Sequence, residues 1–388
     1  MKNETLNRKH DIRLSNLIDK LSVLLVSIFF PLNIFDKMLL GKRLTIDYLI
    51  LGIVLVLVIF NSIVLKRNLS IGLSVILPIL ILLIPTSIIN PIDSFKLARI
   101  IIYTFSFTLI GVNLFNIKEN ILLFMKLLAL WGFILALLSI GLGQKAQDNR
   151  LSLFGSNPIW LSREIGITVI YLYLLYLTNK ISIFQFLLFS IIPIFAMIRT
   201  LSLGPMISLF LCLIILTFIF DVRNKNFRLF YVIPIIIVVL IIMFRFLPKE
   251  LLSRYIGNSE SNLSRNYRMQ MYVLCINLIS KYPLGIGIGQ FYRYSPYYFL
   301  TYPHNIILEA LVEGGWLFGT YIIYTIFSSL RYFYKNIFSD YSLLYVFSIF
   351  SFSVLNSMVS GDLLSTKLIF FCLGVYCAKK YGLKIVIR

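Results

Sequence analysis

IDYLILGIVLVLVIFNSIVL, residues 46–65, is followed almost at once by LSIGLSVILPILILLIPTSII, residues 69–89. Each run has the length of about 20 mainly apolar residues that crosses a hydrocarbon layer as a helix. Working outward, similar runs occupy Ala98 to Phe115, Ile121 to Leu142, Ile159 to Leu177, Ile181 to Ile198, Leu203 to Phe220 and Leu229 to Leu247. Further runs cover Asn305 to Leu330 and Tyr341 to Ser360, and shorter ones Leu21 to Phe35 and Lys367 to Ala378. The chain is 59% hydrophobic and 13% charged, with a mean hydropathy of +0.90, against roughly 45–50% and 25% in a soluble domain. No soluble core could bury so much apolar surface. The expected fold is an all-α, polytopic membrane protein of about 12 transmembrane helices, forming one membrane domain over residues 1–388. The polar, basic stretch Met1 to Lys20 precedes a run without a small-residue cleavage pattern, so the first helix is expected to be retained. No internal repeat is visible, and inverted halves with broken helices, the usual sign of a transporter, are not evident.

The formal net charge is +20. In a soluble protein that excess would suggest nucleic acid, but here cations must first be sorted by side of the membrane. With a cytoplasmic N-terminus, the inner connections carry Lys66 and Arg67, Lys118, Lys180, then Arg223, Lys225 and Arg228, then Arg331 and Lys335, and the tail Lys379, Lys380, Lys384 and Arg388. That arrangement obeys the positive-inside rule. The longest connection, Pro248 to Pro303, breaks it: expected outside, it carries Lys249, Arg254, Arg265, Arg268, Lys281 and Arg293 against only Glu250 and Glu260. A phosphate-bearing ligand would account for the excess, because guanidinium groups fork onto phosphate oxygens; no nucleic-acid partner is expected. Arg163, Arg199, Arg265 and Arg268, near the external ends of spans or in this loop, are the candidate phosphate-binding set, although a single such arginine can also snorkel to lipid headgroups.

The segment richest in chemistry is KYPLGIGIGQFYRYSPYYFLTYPHNIILEALVEGGWLFGT, Lys281 to Thr320. Glycines 285, 287 and 289 do not make a nucleotide-binding fingerprint, since the third comes one residue early and the context is a membrane loop. A loop with unusual backbone angles explains them. Pro303 suits the first turn of the following helix, which would put His304 and Asn305 in that turn. Asn305, Glu309 and Glu313, four apart, share a helix face. Carboxylates inside a span are expensive and therefore candidate functional groups, Glu309 foremost; alternatively His304 caps the helix and Glu313 pairs with an arginine. Gly315 and Gly319 read as a small-residue contact between helices. The loop tyrosines Tyr255, Tyr267, Tyr292, Tyr294, Tyr297, Tyr298 and Tyr302 suit either an interfacial belt or sugar stacking. Cys212, Cys372 and Cys377 fall in apolar runs and Cys275 in the loop, without metal spacing, and are expected to be structural thiols.

With these residues in view, Lys281 to Thr320 resembles the signature of the bacterial O-antigen ligase and polymerase superfamily: a Pro- and Gly-rich loop end, then His304-Asn305, and Gly315 and Gly319 at the matching spacing. Arg268, Tyr272 and the run Tyr282-Pro283-Leu284-Gly285 resemble the pattern leading into that loop. One departure is Ser202-Leu203-Gly204-Pro205, where related chains often carry Ser-Arg; Arg199, about one turn earlier, is the candidate replacement. The resemblance implies a GT-C-type glycosyltransferase in the cytoplasmic membrane, facing the periplasm or cell exterior. It would use an undecaprenyl-pyrophosphate-linked glycan as donor and a glycan acceptor, with no cofactor and no metal. Membrane lipids, a chain-length regulator and a flippase are the implied partners. On that reading Arg163, Arg199, Arg265 and Arg268 meet the pyrophosphate, while His304 or Glu309 takes the acceptor proton. A repeat-unit polymerase for O-antigen or capsule is preferred because the loop is divergent. The alternatives are the ligase of the same superfamily, which moves finished glycan to lipid A-core or another acceptor, and, in another class, a lipid-linked oligosaccharide flippase. A flippase should gather its charges at mid-membrane; here they gather toward one face.

Overall fold

The computed structural model describes residues 2–39, 46–64, 70–115, 117–145, 150–224, 260–297 and 301–381, with isolated positions between 225 and 259. Twelve helices carry the described chain: α1 (Lys2–Leu39), α2 (Ile46–Val64), α3 (Ser70–Ile89), α4 (Ser94–Leu114), α5 (Lys118–Leu142), α6 (Pro158–Leu177), α7 (Ile183–Arg199), α8 (Leu203–Asn224), α9 (Glu260–Lys281), α10 (Ile306–Asn336), α11 (Tyr341–Ser360) and α12 (Lys367–Lys380). A two-stranded antiparallel ladder, β1 (Gln144–Lys145) and β2 (Leu151–Ser152), is the only sheet among the described residues. Seven of the helices are long and apolar enough to cross a membrane, and three shorter apolar stretches, Tyr48–Ile63, Ile76–Ile89 and Ile183–Arg199, accompany them. The chain is an all-helical, multi-pass membrane protein. The span expected at Leu229 to Leu247 lies outside the described residues.

Helix boundaries follow local chemistry. Asp93 accepts from the N–H groups of Phe95 and Lys96 to start α4, and Asn157 accepts from Ile159 ahead of Pro158 to start α6. Ser182 and Gln185 form a reciprocal capping box on α7. Such caps are worth about 1 kcal/mol each. α4 packs on α12 where Gly111 and Gly374 face each other, so a Cβ at either would strike the opposite backbone. That crossing is the close helix contact of the small-residue kind.

The connections around residues 90–93, 200–202, 282–297, 301–305 and 361–366 meet at one end of the bundle. The Asp93 N–H donates to the Ile288 carbonyl at 2.8 Å, the Asn90 amide to the Gly285 carbonyl at 2.9 Å, and the Leu363 N–H to Glu309 at 2.8 Å. Within the connection expected as a long loop, Glu260–Lys281 is helical: α9 packs on α10 through a satellite core of Met271, Cys275, Leu278, Ile286, Phe291 and Val312. Cys275 is therefore helical and fully buried, where the sequence placed it in a loop; the other three cysteines are buried as expected.

Candidate functional site

The glycine-rich loop is built around left-handed backbone. Gly285, Gly287 and Gly289 have φ of 85°, 100° and 76°, as their spacing in an irregular loop led us to expect. The loop inserts into a break in α10. At Gly315 φ is 83° and ψ 177°, and the carbonyls of Val312 and Glu313 accept from the N–H groups of Ile286 and Gly287 at 2.9 and 3.2 Å, while the Trp316 N–H donates to Pro283 at 2.8 Å. A Cβ at Gly315 would lie 2.6 Å from the Leu284 carbonyl carbon, and one at Gly319 would strike Leu311 of the same helix. The Gly315/Gly319 pair thus makes a broken helix and not a contact between helices. One discontinuous helix is present where none was evident from the sequence.

The acidic stripe does share a face. Lys96 of α4 donates to Glu309 at 2.6 Å and to the two carboxylate oxygens of Glu313 at 3.2 and 2.9 Å. The second oxygen of Glu309 accepts from the Leu363 N–H at 2.8 Å, and Glu313 also accepts from the Gly289 N–H at 2.8 Å. Both glutamates are fully buried. The partner of Glu313 is a lysine from a distant helix, not an arginine; nothing in the local sequence of α10 points to Lys96.

α10 starts later than Pro303 suggested. Asn305 is its cap, accepting from Ile307 and Leu308 at 3.0 and 3.1 Å. His304 stands just before it, outside the helix, with φ of 58°, a backbone region that histidine enters more readily than most side chains yet still uncommon. Its Nδ1 is buried without a hydrogen-bond partner, and its ring lies 4.2 Å, centre to centre, from Tyr302. Burial and then the positive charges of Arg268 and Arg163 push the imidazole down to about 4, with Asp362 opposing them. Burial, with Asp362 and Glu309, pushes Tyr302 up to about 12, while the same two arginines oppose that shift.

The arginines are gathered by the last turns of α11. Arg163 of α6 donates to the Asn356 carbonyl at 3.4 Å, Asn305 to Met358 at 3.0 Å and Arg268 of α9 to Val359 at 3.3 Å. Cations at a helix C-terminus also complement its dipole. These single bonds occupy a small part of each guanidinium's five donors, and Nε of Arg163 is buried without a partner. Arg163, Arg268, His304, Tyr302 and Asp362 therefore form one electrostatic cluster. Arg199 does not join it; its guanidinium lies 5.9 Å from the Phe195 ring of its own helix. Arg265 lies in α9, and its side chain is outside the described residues. The turn between α7 and α8 is held instead by Arg150, which donates to the Thr200 carbonyl at 3.0 Å and to the Ser202 hydroxyl at 2.7 Å. Tyr302 is one of the loop tyrosines that the sequence offered for an interfacial belt or sugar stacking, whereas Arg150 and Asp362 were not among the candidates. Asp362, an acid between two apolar runs, was the one with a readable signal.

Beside the cluster lies a cavity of about 330 Å3, to which Arg163, Asp362, Arg99, Glu164 and Lys367 contribute. Among the described residues no group of His, Cys, Asp and Glu side chains is arranged to hold a metal ion.

These features define a multi-pass helical membrane protein whose basic and polar groups converge at one end of the bundle. Residues 186–323 match the family model described as O-antigen ligase. The matched segment runs from α7 through the broken α10 and contains Arg268 and His304; Arg163 lies outside it. The match covers about a third of the chain, and over that segment the protein is similar to the O-antigen ligase family. No curated protein matches the chain.

Proposed function

We propose that the protein is a polysaccharide polymerase joining undecaprenyl-pyrophosphate-linked repeat units of O-antigen or capsule at the outer face of the bacterial cytoplasmic membrane, without metal or cofactor. The observation that carries this reading is the convergence of Arg163, Arg268 and His304 on the end of α11, within and beside the matched domain. An acceptor hydroxyl attacks the anomeric carbon of the donor as its bond to the pyrophosphate oxygen breaks. The electron pair leaves with the pyrophosphate, where fixed guanidinium groups stabilise the charge. His304 takes the hydroxyl proton.

A histidine at about 4 is neutral at neutral pH and able to accept a proton, although a weak base. Part of that depression comes from Arg268 and Arg163. A bound pyrophosphate neutralises these arginines and raises the imidazole toward working pH, so donor binding itself prepares the base. Glu309 is then a positioning residue: it holds Leu363, and with it the turn carrying Asp362, in place. The basic α9 segment faces the exterior in this scheme. Cysteines introduced at the exposed Ser280 and Tyr292 should react with an impermeant maleimide in intact cells, and protection of both until lysis would reverse the orientation.

A deletion strain tests the polymerase reading. Loss of a polymerase leaves a single repeat unit on the final acceptor, one short band in place of a ladder. Long glycan retained on the carrier lipid, with none on the acceptor, would instead identify a ligase.

A further inference from the structure

α9 carries apolar side chains on two opposite sides. Met271, Cys275 and Leu278 close the satellite core against α10. Half a turn round the helix, Met269, Val273 and Ile276 are 58%, 56% and 61% exposed, and their spacing of four and then three residues lines them up as one stripe. Gln270, Asn277 and Lys281 are exposed along one flank of that stripe, and Arg268, which donates to the Val359 carbonyl, lies on the other. Yet α9 is not one of the helices long and apolar enough to cross a membrane. An apolar stripe with a polar flank, on a helix that does not span, is the pattern of a segment lying in the plane of a membrane interface.

The surroundings say what covers the stripe. Trp316 stands at the break in α10, 51% exposed, and its indole N–H donates to the Ile279 carbonyl at 2.9 Å. Beyond it α10, a membrane-crossing helix, exposes Leu317, Tyr324 and Phe327. The last turn of α9 is thus fixed where the lipid-facing surface of a span begins, a depth that tryptophan and tyrosine favour. Lys281 and Arg293 are exposed at the same place, beside the rings of Tyr282 and Tyr292 at 5.5 and 5.8 Å, and among the described residues no carboxylate pairs with either. An apolar row continuous with a span, ending in open cations, fits lipid and its phosphates better than a soluble partner.

We infer that α9 is seated in the bilayer interface, with Met269, Val273 and Ile276 dipping to the acyl-chain boundary and Lys281 and Arg293 meeting the phosphates of anionic phospholipids at its C-terminal end. The bilayer then supports α9 on the side opposite α10. Arg268, next to Met269, is thereby held at the depth of the lipid phosphates. That the leaflet is the outer one rests on the proposed function; the seating does not.

The full-length chain in phosphatidylcholine nanodiscs, spin-labelled in turn at M269C, V273C, I276C, Q270C and N277C, tests this. Its own four cysteines are buried, and wild type treated alike gives the background. Collision of the label with oxygen, which partitions into lipid, is compared with collision with a nickel chelate, which stays in water. Labels at Met269, Val273 and Ile276 should favour oxygen and those at Gln270 and Asn277 the chelate, so that the ratio follows the turn of the helix. A preference for the chelate at all five leaves the stripe in water, and a preference for oxygen at all five immerses the whole helix; either overturns the inference. Low collision with both reagents along the stripe would mean that protein, a second copy included, covers it, and overturns it equally. Adding phosphatidylglycerol should raise the oxygen preference at Ile276, and K281Q with R293Q should remove that response; no response with both cations present would overturn their assignment to lipid phosphate. Melting of each labelled chain against wild type identifies any that fail to fold, and the pattern over five positions does not hang on one of them. These measurements read depth and not turnover, so loss of the polymerase reading in the deletion strain would leave their outcome unaffected.

Discussion

Two groups of charges lie within a few turns of each other at the same end of the bundle, and they are finished differently. In the clamp, Lys96, Glu309 and Glu313 leave no carboxylate oxygen without a donor: one ammonium and the N–H groups of Leu363 and Gly289 meet all four. In the cluster, Arg163 and His304 each keep a buried nitrogen with no partner, and the imidazole is held uncharged by its burial and then by neighbouring cations. Ionisable groups inside a membrane domain are expensive in both cases. A saturated set repays its burial in the folded chain alone and so reads as architecture. A set with open valences waits for something to bind.

That difference predicts separable effects. Lys96→Met should cause the largest loss of stability, about 3–5 kcal/mol, because it strands two buried carboxylates. Thermal unfolding in detergent would show it, and adding Glu313→Gln to the same chain should recover part of the loss, since one stranded charge is then removed. Additive losses would mean that the three residues do not act as a unit.

Gly315→Ala should follow, at about 1–3 kcal/mol, since it forces a Cβ into a backbone region essentially reserved for glycine and against the Leu284 carbonyl. Polymer output should fall with it, because the break in α10 seats the loop ahead of His304. A substitution that leaves both melting and output untouched would show that the break is unimportant.

In the cluster the order reverses, with output lost and stability kept. Arg268→Lys should reduce polymer at least tenfold, equivalent to about 1.4 kcal/mol of barrier, nearly as much as Arg268→Ala, because lysine keeps the charge but not the fork. Membrane abundance should remain at the wild-type level. Full output from the lysine variant would reduce Arg268 to a source of charge.

The smallest effect is a matter of pH. His304 sits at about 4 in the folded chain, below its ordinary value of 6.5. The neutral form is thus favoured by folding, and the associated stability is fully present above pH 6.5 and lost as pH falls from there toward 4. His304→Asn, which tolerates the same backbone conformation, should flatten that slope in a melting series; an identical slope in both chains would assign it elsewhere.

Most of the helices could be read from the sequence because an apolar run of span length has few other uses. Tyr341–Ser360 was placed to the residue, and Ile46–Val64 to within one. Hydropathy could not reveal α9, in which Met271, Cys275 and Leu278 face a small satellite core while Met269, Val273 and Ile276 stay exposed, nor the break in α10, which depends on a loop that arrives from thirty residues earlier. At the site, Arg268 stood out through the basic excess of its loop, Arg163 as a cation near the external end of a span, and His304 through its place before the Asn305, Glu309 and Glu313 face. Lys96 did not, because a lysine beside a span boundary looks like any interfacial cation until its carboxylates are brought to it by folding. Arg199 was chosen by its distance along the chain, whereas Arg150, from a hairpin invisible to hydropathy, holds that turn.

The central claim is that the open cluster performs glycosyl transfer and the clamp does not. Purified protein supplied only with an undecaprenyl-pyrophosphate-linked repeat unit tests it directly, with polymer length and released undecaprenyl pyrophosphate read from the same reaction. Wild-type protein should build a ladder and release one carrier per bond formed, while folded Arg268→Lys and His304→Asn release almost none. A full ladder from both variants, at equal amounts of folded protein, would contradict the account.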